Sequence, residues 1–222
     1  MRPEAMTLGL PEKDGKFSFK ALSKISEFIK LRKVTSIVIG PGIGKTSDTA
    51  RLVKAILLSV NLPLILDADG LNAIPSKSSI LRNSKAKIIA TPHPGELSRL
   101  IGVTVKKINQ SRINAAKEFS KKNNLICVLK GHKTVVSDGN KIFLNTTGNP
   151  GMATGGSGDV LSGMISALIS QVKEPKLLNA ALSGVFLHGL AGDYASKMKT
   201  QIGLLAQDIA ENIPVALKKV TT

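Results

Sequence analysis

The chain has 222 residues, with 42% hydrophobic and 21% charged side chains, which is typical of a globular protein large enough to bury a sizeable core. No run of 18 apolar residues and no charged-then-apolar leader appears, so we expect a cytoplasmic protein that neither spans nor binds a membrane. Lys and Arg outnumber Asp and Glu by 31 to 15, which favours anionic ligands, but aromatic residues make up only 3%, which argues against a base-stacking nucleic-acid module.

Strand-like apolar runs alternate with helix-like runs in the first two thirds of the chain. Four buried strands are predicted at "SIVIG", "LPLILDADG", "AKIIATPHPG" and "NLICVLKG". Helices are predicted between and after them at "SDTARLVKAILLSV", "LNAI", "ELSRLIG" and "INQSRINAAKEFSKKNN". Continuous apolar strands separated by helices imply a mostly parallel sheet covered on both faces. The only cysteine, Cys127, lies inside "LICVL" and is predicted to be a core residue, which excludes a disulfide within this chain.

The last third of the chain is predicted to be a hairpin followed by helices. "TVVSDG" and "KIFLN" form the hairpin, which turns at Asp138-Gly139. After a glycine-rich stretch come three helical runs, "DVLSGMISALIS", "LLNAALSGVFLHGLAGDYASK" and "LLAQDIAENIPVALKKV". No repeat, low-complexity segment or linker interrupts the pattern, so we predict one α/β domain over residues 1–222.

Five polar or glycine-rich segments each follow a predicted strand. They are "GPGIGKT", "DADGLN", "TPHPGE", "KGHKT" and "GNPGMATGGSGD". In open α/β sheets ligands bind beyond the carboxyl ends of the strands, so we expect these segments to converge on one binding site.

"GPGIGKT" resembles a P-loop but has the wrong spacing. Gly40 and Gly44 enclose three residues, whereas a P-loop needs four between its first glycine and Gly-Lys-Thr to wrap its amides around a phosphate. The dinucleotide-binding fingerprint fails as well, because its third glycine would fall at Ser47.

"GGSGD" runs directly into a predicted helix and suits a different phosphate site. The amides of Gly156, Ser157 and Gly158 can point at an anion at the helix N-terminus. Asp159 then stands beside that anion and can act as a general base towards a hydroxyl that attacks a bound phosphoryl group. The alternative is a surface loop in which Asp159 only complements the helix dipole.

These motifs together resemble a known family. "GSGD" opening a late helix resembles the ribokinase-like superfamily, and "IGPGIG", "LDADGLNAI", "TPHPGELSRL", "KGHKT", "GNPGMATGGSGDVLSG" and "HGLAGD" resemble its ADP- or ATP-dependent NAD(P)H-hydrate dehydratases. The resemblance covers about residues 35–195. It implies a three-layer αβα ribokinase-like fold and a cofactor-repair enzyme. Such an enzyme phosphorylates the ring hydroxyl of the 6S epimer of hydrated NADH or NADPH and eliminates phosphate, with ADP as donor and AMP as product.

The resemblance also assigns site residues. Asp159 is the base and contacts the hydrated cofactor together with Gly44 and His93. The residues assigned to the adenine nucleotide are Lys130, Gly131, His132, Lys133, Thr134 and Gly158. Mg²⁺ is expected to bridge the nucleotide phosphates rather than to occupy a site built by the protein. A homo-oligomer is expected.

Each assignment has an alternative from the residues alone. His93, between two prolines, could be a loop histidine without a ligand, and Lys130 and Lys133 could be solvated charges. Asp67 and Asp69, after a buried strand, could cap the helix that follows. His188, on an apolar helical face, is expected to be a hydrogen-bonded core histidine rather than a ligand.

The chain departs from the family at its start. Family members begin with a segment resembling "KGDFGRVLVIGGS" ahead of the Arg-Pro-Glu that stands here at residues 2–4, and that segment supplies a strand. Without this segment the sheet is expected to expose an edge or a groove where that strand would lie. An epimerase domain or the missing segment is expected to be encoded upstream. Two other hypotheses stay open: a ribokinase-like kinase of a small hydroxylated metabolite, such as hydroxyethylthiazole or a pyrimidine alcohol, and an inactive truncated nucleotide-binding relative.

Overall fold

The computed structural model describes residues 5–171 and 177–221. Its strands are β1 (Glu12–Lys13), β2 (Lys16–Phe17), β3 (Ile37–Ile39), β4 (Pro63–Leu66), β5 (Lys87–Ala90), β6 (Ile126–Leu129), β7 (Val135–Ser137) and β8 (Ile142–Leu144). Its α-helices are α1 (Ala21–Leu31), α2 (Ser47–Ser59), α3 (Ala68–Asn72), α4 (Pro94–Ile101), α5 (Val105–Gln110), α6 (Arg112–Asn123), α7 (Ser157–Ser170), α8 (Leu177–Lys199) and α9 (Ala206–Thr221). A short 3₁₀ helix spans Pro150–Met152.

Six strands form one sheet in the order β3-β4-β5-β6-β7-β8. β3 to β6 run parallel, whereas β7 and β8 are antiparallel to their neighbours. This confirms the mostly parallel sheet expected from the continuous apolar strands. Among the described strands β3 pairs only with β4, so it forms one edge of the sheet.

The strands alternate their side chains between two apolar layers, one on each face of the sheet. In β4, Leu64 and Leu66 pack into the layer that contains side chains of α2, α4 and α6. Ile65 between them packs with side chains of α7 and α8 on the other face. Because both faces are buried, the strand sequences are continuously apolar, and the layers are helix, sheet and helix. Cys127 of β6 is fully buried as predicted, and burial raises the pKa of its thiol.

The three C-terminal helices form the layer opposite α2, α4 and α6. α9 packs on α7 and α8 through a further apolar cluster that contains Met164, Leu187 and Ile209. Of the helices within residues 5–171 and 177–221, none combines the length and the apolar character that a membrane crossing requires.

The prediction of one helix over residues 108–124 is wrong. Ser111 leaves the helical region, with φ −144° and ψ 54°, and separates α5 from α6. Serine competes with helical hydrogen bonding and is a weak helix former. The break lets α6 begin at Arg112, whose guanidinium donates to the carbonyl oxygens of Leu129 (3.0 Å) and Lys130 (3.3 Å).

Within residues 5–171 and 177–221 the structure contains two hairpins, of which one was predicted. β7 and β8 form the expected pair, with Gly139 at φ +93° in the turn. β1 and β2 form a second, very short pair that sequence reasoning missed. Asp14-Gly15 connects them with both residues at positive φ, so this dipeptide was the available signal.

Candidate active site

The carboxyl ends of the parallel strands converge as predicted, because the segments that follow them contact one another. Gly40, after β3, has φ +135°, and a Cβ there would overlap the carbonyl group of Asp67 after β4. Only glycine fits such a close approach of two backbones. The N–H of Lys130, after β6, donates to the carbonyl of Pro92, after β5, at 2.8 Å.

Asp67 connects three elements at this edge of the sheet through its carboxylate. Its carboxylate is buried and accepts from Lys130 Nζ at 2.6 Å, from the Ala68 N–H at 2.9 Å and from Ser162 Oγ at 2.8 Å. Ser162 belongs to α7, so Asp67 ties the end of β4 to the helix that begins in the glycine-rich segment. Asp67 therefore does cap the next helix, through the bond from the Ala68 N–H, but its other two bonds go to Lys130 and Ser162.

Lys130 lies between two carboxylates and the start of α7. Besides Asp67, its Nζ lies 3.9 Å from Oε2 of Glu96, which is itself buried. A Cβ built on Gly158 would come within 3.3 Å of the Lys130 Nζ. The ammonium thus lies beside the first turn of α7, and its two carboxylate neighbours offset the cost of placing a cation at a helix N-terminus. Lys130 is not a solvated surface charge.

His93 caps α4 and lies at the surface of this edge. Its Nδ1 accepts from the N–H groups of Gly95 (3.0 Å) and Glu96 (3.4 Å), while the Glu96 carboxylate accepts from the His93 N–H at 2.8 Å. This reciprocal pair forms a capping box. Because Nδ1 accepts, the neutral ring carries its proton on Nε2. Nε2 lies 3.5 Å from Oε1 of Glu96, and the imidazole is 51% exposed, so its open side can reach a ligand.

The first turn of α7 provides free amides next to a free carboxylate. The N–H of Ser157 donates to the carbonyl of Thr154 at 3.3 Å, whereas the amides of Gly156 and Gly158 have no acceptor among the described residues. Gly156 has φ +85°, which turns the chain into the helix. Asp159 is exposed, and within residues 5–171 and 177–221 its carboxylate has neither a hydrogen bond nor an ion pair.

Helix α8 holds the glycine-rich segment in place. Asp193 accepts from the Gly148 N–H at 2.8 Å and from Asn149 Nδ2 at 2.9 Å. Gly189 and Gly192 lie where a Cβ would overlap Thr147 and Met152 respectively. The segment therefore packs directly on the backbone of α8, which explains the small residues of "HGLAGD".

His188 lies beneath the first turn of α7. Its Nε2 is 3.0 Å from the Ser157 carbonyl oxygen, and the residue is buried. Burial lowers the pKa of His188 to about 4, partly opposed by the hydrogen bond to Ser157. At neutral pH the ring is uncharged and donates from Nε2. As predicted, it is a hydrogen-bonded core histidine.

Residues 130–134 form an exposed turn that starts at Lys130. Gly131 has φ +140°, a Cβ there would lie 2.8 Å from Nη1 of Arg112, and Lys133 has φ +51°. Thr134 Oγ1 donates to the Gly131 carbonyl at 3.0 Å, which closes the turn. Gly131, His132 and Lys133 are exposed, and Lys130, at the start of the turn, is the residue that reaches Gly158.

Gly44 lies at the other side of the site, under the hairpin β1–β2. Its N–H donates to Asp69 at 3.1 Å, and it has φ +80°. A Cβ there would lie 2.8 Å from Cδ of Lys16, so the stem of this lysine covers the glycine. Asp48 anchors the chain after the hairpin by accepting from the Phe19 N–H at 3.1 Å.

Four residues of this site escaped sequence reasoning as site residues: Asp67, Glu96, Ser162 and Asp193. Glu96 had a local signal, because an acid three residues after a helix cap is typical of a capping box. Ser162 and Asp193 had none, since their contacts form only when α7 and α8 pack on β4 and on the glycine-rich segment. The contacts bring together the segments that contain Gly44, His93, Lys130 and Gly158; the roles assigned to these residues stay predictions.

The sequence profile of the NAD(P)H-hydrate dehydratase family matches residues 3–215. The chain is 40% identical over 218 residues to the bifunctional NAD(P)H-hydrate repair enzyme of Moorella thermoacetica, which covers 97% of this chain and 40% of the relative. It is 35% identical over 214 residues to the ADP-dependent (S)-NAD(P)H-hydrate dehydratase of Neisseria meningitidis, covering 94% of this chain and 69% of that one. The chain thus spans less than half the length of the bifunctional relative.

Solved structures agree with this assignment. The ADP/ATP-dependent NAD(P)H-hydrate dehydratase of Bacillus subtilis, co-crystallised with ATP/Mg²⁺, superposes with a TM-score of 0.75 at 30% identity, covering 90% of this chain and 70% of that one. A ribokinase from Thermotoga maritima superposes with a TM-score of 0.55 at 18% identity over 86% of this chain and 60% of that one, which extends the likeness to the ribokinase fold. The three layers, the glycine-rich start of α7 and the family match agree, and the chain belongs to the NAD(P)H-hydrate dehydratase family.

Proposed function

We propose that this chain catalyses the ADP-dependent dehydration of the 6S epimer of hydrated NADH or NADPH, releasing AMP and phosphate. The observation that carries the proposal is the first turn of α7, where the free amides of Gly156 and Gly158 stand next to the unpartnered carboxylate of Asp159. The names of the relatives from Neisseria meningitidis and Bacillus subtilis supply the substrate and the nucleotide. The family match favours this reaction over the kinase of a small hydroxylated metabolite.

The adenine nucleotide binds in this proposal along residues 130–134, with its terminal phosphate at the start of α7. A helix N-terminus with free amides attracts an anion. The Lys130 ammonium adds a charge-assisted donor. Because Asp67 and Glu96 hold this ammonium, it is in place before the nucleotide arrives.

Phosphoryl transfer then uses Asp159 as general base. Its carboxylate takes the proton of the ring hydroxyl, and the hydroxyl oxygen attacks the β-phosphoryl group of ADP as the bond to the AMP oxygen breaks. The amides of Gly156 and Gly158 stabilise the charge on the transferring oxygens.

Elimination restores the cofactor. The carbon–oxygen bond to the phosphoryl group breaks, phosphate leaves and the adjacent ring carbon loses a proton, which re-forms the double bond. The balance is hydrate plus ADP giving reduced cofactor, AMP, phosphate and a proton. Gly44 and His93 hold the hydrated ring side of the substrate in this proposal, and His93 presents its exposed imidazole there while Nδ1 is engaged in the cap.

Mg²⁺ is part of this proposal as a companion of the nucleotide. Within residues 5–171 and 177–221 no group of three or more acidic, histidine or cysteine side chains could cage a metal ion. Mg²⁺ keeps few protein ligands when it binds nucleotide phosphates, so this donor set fits an ion carried by the phosphates. When bound, it neutralises charge that develops during transfer.

The proposal extends to the setting of the enzyme. The bifunctional relatives are longer than this chain, which fits an epimerase domain or an additional segment acting alongside it. A cytoplasmic location and a homo-oligomer remain predictions.

The reaction can be tested directly on the purified chain. Hydrated NADH is incubated with ADP and Mg²⁺, and the absorbance of the reduced nicotinamide ring is followed while AMP and phosphate are quantified. We expect one AMP and one phosphate for each NADH formed, and no NADH without nucleotide.

Two variants make this assay specific. Asp159→Asn removes the base, whereas Asp138→Asn changes a carboxylate in the β7–β8 turn, at the opposite end of the sheet. Asp138→Asn should match the wild type. NADH formation that is equally fast without nucleotide, or AMP release without NADH, would reject the dehydratase assignment.

A further inference from the structure

A cavity lies away from the candidate active site, between α4, α5, α6 and the segment before β5. Its volume is about 390 Å³. Buried apolar side chains form its floor, among them Leu81, Leu100, Ile108 and Phe119. None of the residues assigned to the dehydratase site lines it, and the inference that follows is independent of the proposed function.

The break between α5 and α6 opens this cavity. Ser111, at the break, lines it, as do Ile108 from α5 and Ala115 from α6. Since α6 does not continue the axis of α5, side chains of the two helices flank a gap instead of closing over it. An apolar gap of this size loses packing contacts on every wall, so filling it with an apolar group is favourable.

Three exposed lysines line the same cavity: Lys77, Lys107 and Lys122. One acid, Glu118, also lines it. Within residues 5–171 and 177–221 none of these three ammonium groups takes part in an ion pair, and neither does the Glu118 carboxylate. The rim therefore carries an excess of positive charge over an apolar floor.

Lys77 is held at this rim in an unusual backbone conformation. Its φ is +56°, in the left-handed region that non-glycine residues seldom occupy. The bond from the Lys77 N–H to the Leu100 carbonyl (2.9 Å) fixes this conformation, and the lysine stem lies against Gly102. Such backbone strain often accompanies ligand clamps.

We propose that this cavity binds a small amphiphilic carboxylate, with its alkyl chain on the apolar floor and its head group among the three lysines. The volume lies in the range of small-molecule sites, about 300–1,000 Å³. The charge of the rim selects an anion over a neutral or cationic amphiphile. Each methylene buried on the floor tightens binding about fourfold.

The experiment uses decanoate as the probe, with calorimetric titration of the full chain. We expect a single site with a negative heat-capacity change, because apolar surface is buried. Octanoate should bind about 15-fold more weakly, since it has two fewer methylenes. Decylamine, with the same tail and the opposite charge, should not bind at the same concentration.

Neighbouring lysines offer matched controls. Lys107→Glu and Lys122→Glu change rim residues, whereas Lys106→Glu and Lys121→Glu change exposed lysines next to them that do not line the cavity. The double rim variant should bind decanoate about tenfold more weakly, and the double control should bind as the wild type does. Ala115→Phe should block the cavity; the lysine variants decide the outcome if it fails to fold. No decanoate binding, equal binding of decylamine, or equal losses in the two double variants would overturn the proposal.

Discussion

Two carboxylates of the candidate site differ in almost every respect. Asp67, at the end of β4, is buried and accepts three hydrogen bonds, one of them from Lys130. Asp159, in the first turn of α7, is exposed and has no partner among the described residues. A buried carboxylate whose oxygens are already engaged holds structure, whereas a free one can accept a proton from a substrate. In the proposed function, Asp67 therefore positions the site and Asp159 is the group that accepts the proton.

The largest expected effect is the loss of catalytic rate in the Asp159→Asn variant. Loss of a general base lowers the rate constant about 10²–10⁴-fold. The free energy of unfolding should change by less than about 0.5 kcal/mol, because an exposed side chain without partners is replaced. Turnover of hydrated NADH and denaturant unfolding of the same preparation check both parts. A rate within a few-fold of the wild type would remove Asp159 from the mechanism.

Asp67→Asn, unlike Asp159→Asn, should cause a large loss in the free energy of unfolding. Breaking a buried pair leaves the Lys130 ammonium without its main partner, at a cost of about 3 kcal/mol. Asp69→Asn is the matched control, since Asp69 is more exposed and its ion pair with Lys45 is longer, at 3.7 Å. Urea unfolding measures both, and equal losses in the two variants would contradict the role given to Asp67.

The stability of the wild type should fall in acid because of His188. Its folded pKa of about 4 lies below the ordinary value of 6.5, so between these values the unfolded chain binds a proton that the folded chain does not. Stability therefore falls as the pH drops through this window, by up to about 3 kcal/mol at pH 4. His188→Gln keeps a donor for the Ser157 carbonyl and removes the titration. The difference between wild type and variant should shrink towards low pH; a constant difference from pH 7 to pH 4 would exclude a buried neutral His188.

The smallest expected effect concerns Ser162, the third partner of Asp67. Ser162→Ala removes one donor but leaves the Lys130 and Ala68 bonds in place, so the free energy of unfolding should fall by about 1–2 kcal/mol. Ser166→Ala, four residues further along α7, changes a hydroxyl that contacts Ser36 rather than Asp67. Chemical denaturation of the Ser162→Ala and Ser166→Ala variants isolates the free energy that the hydrogen bond from Ser162 to Asp67 contributes. Equal losses in the two variants would contradict a stabilising role for this bond.

The sequence predicted the sheet and the convergence of its loops better than the bonding inside the site. Strand runs such as "LILDAD" are apolar on both faces, and this local pattern is enough to predict parallel burial. The break at Ser111 was missed because a single serine inside an amphipathic run does not end a helix by itself. The Asp67–Lys130 pair joins residues 63 positions apart, and only packing brings them together. The role of Asp159 could be proposed from the sequence because its glycine-rich context is local, and that role stays a prediction.

The most direct test of the contrast between the two carboxylates is the affinity for ADP, measured by calorimetry on three variants. Asp159→Asn should bind ADP at least as tightly as the wild type, because it removes a negative charge near the phosphates while leaving Lys130 in place. Asp67→Asn and Lys130→Met should bind about tenfold more weakly or worse, since a charge-assisted hydrogen bond to phosphate is misplaced or lost. Weak ADP binding by Asp159→Asn together with unchanged binding by Lys130→Met would contradict the account.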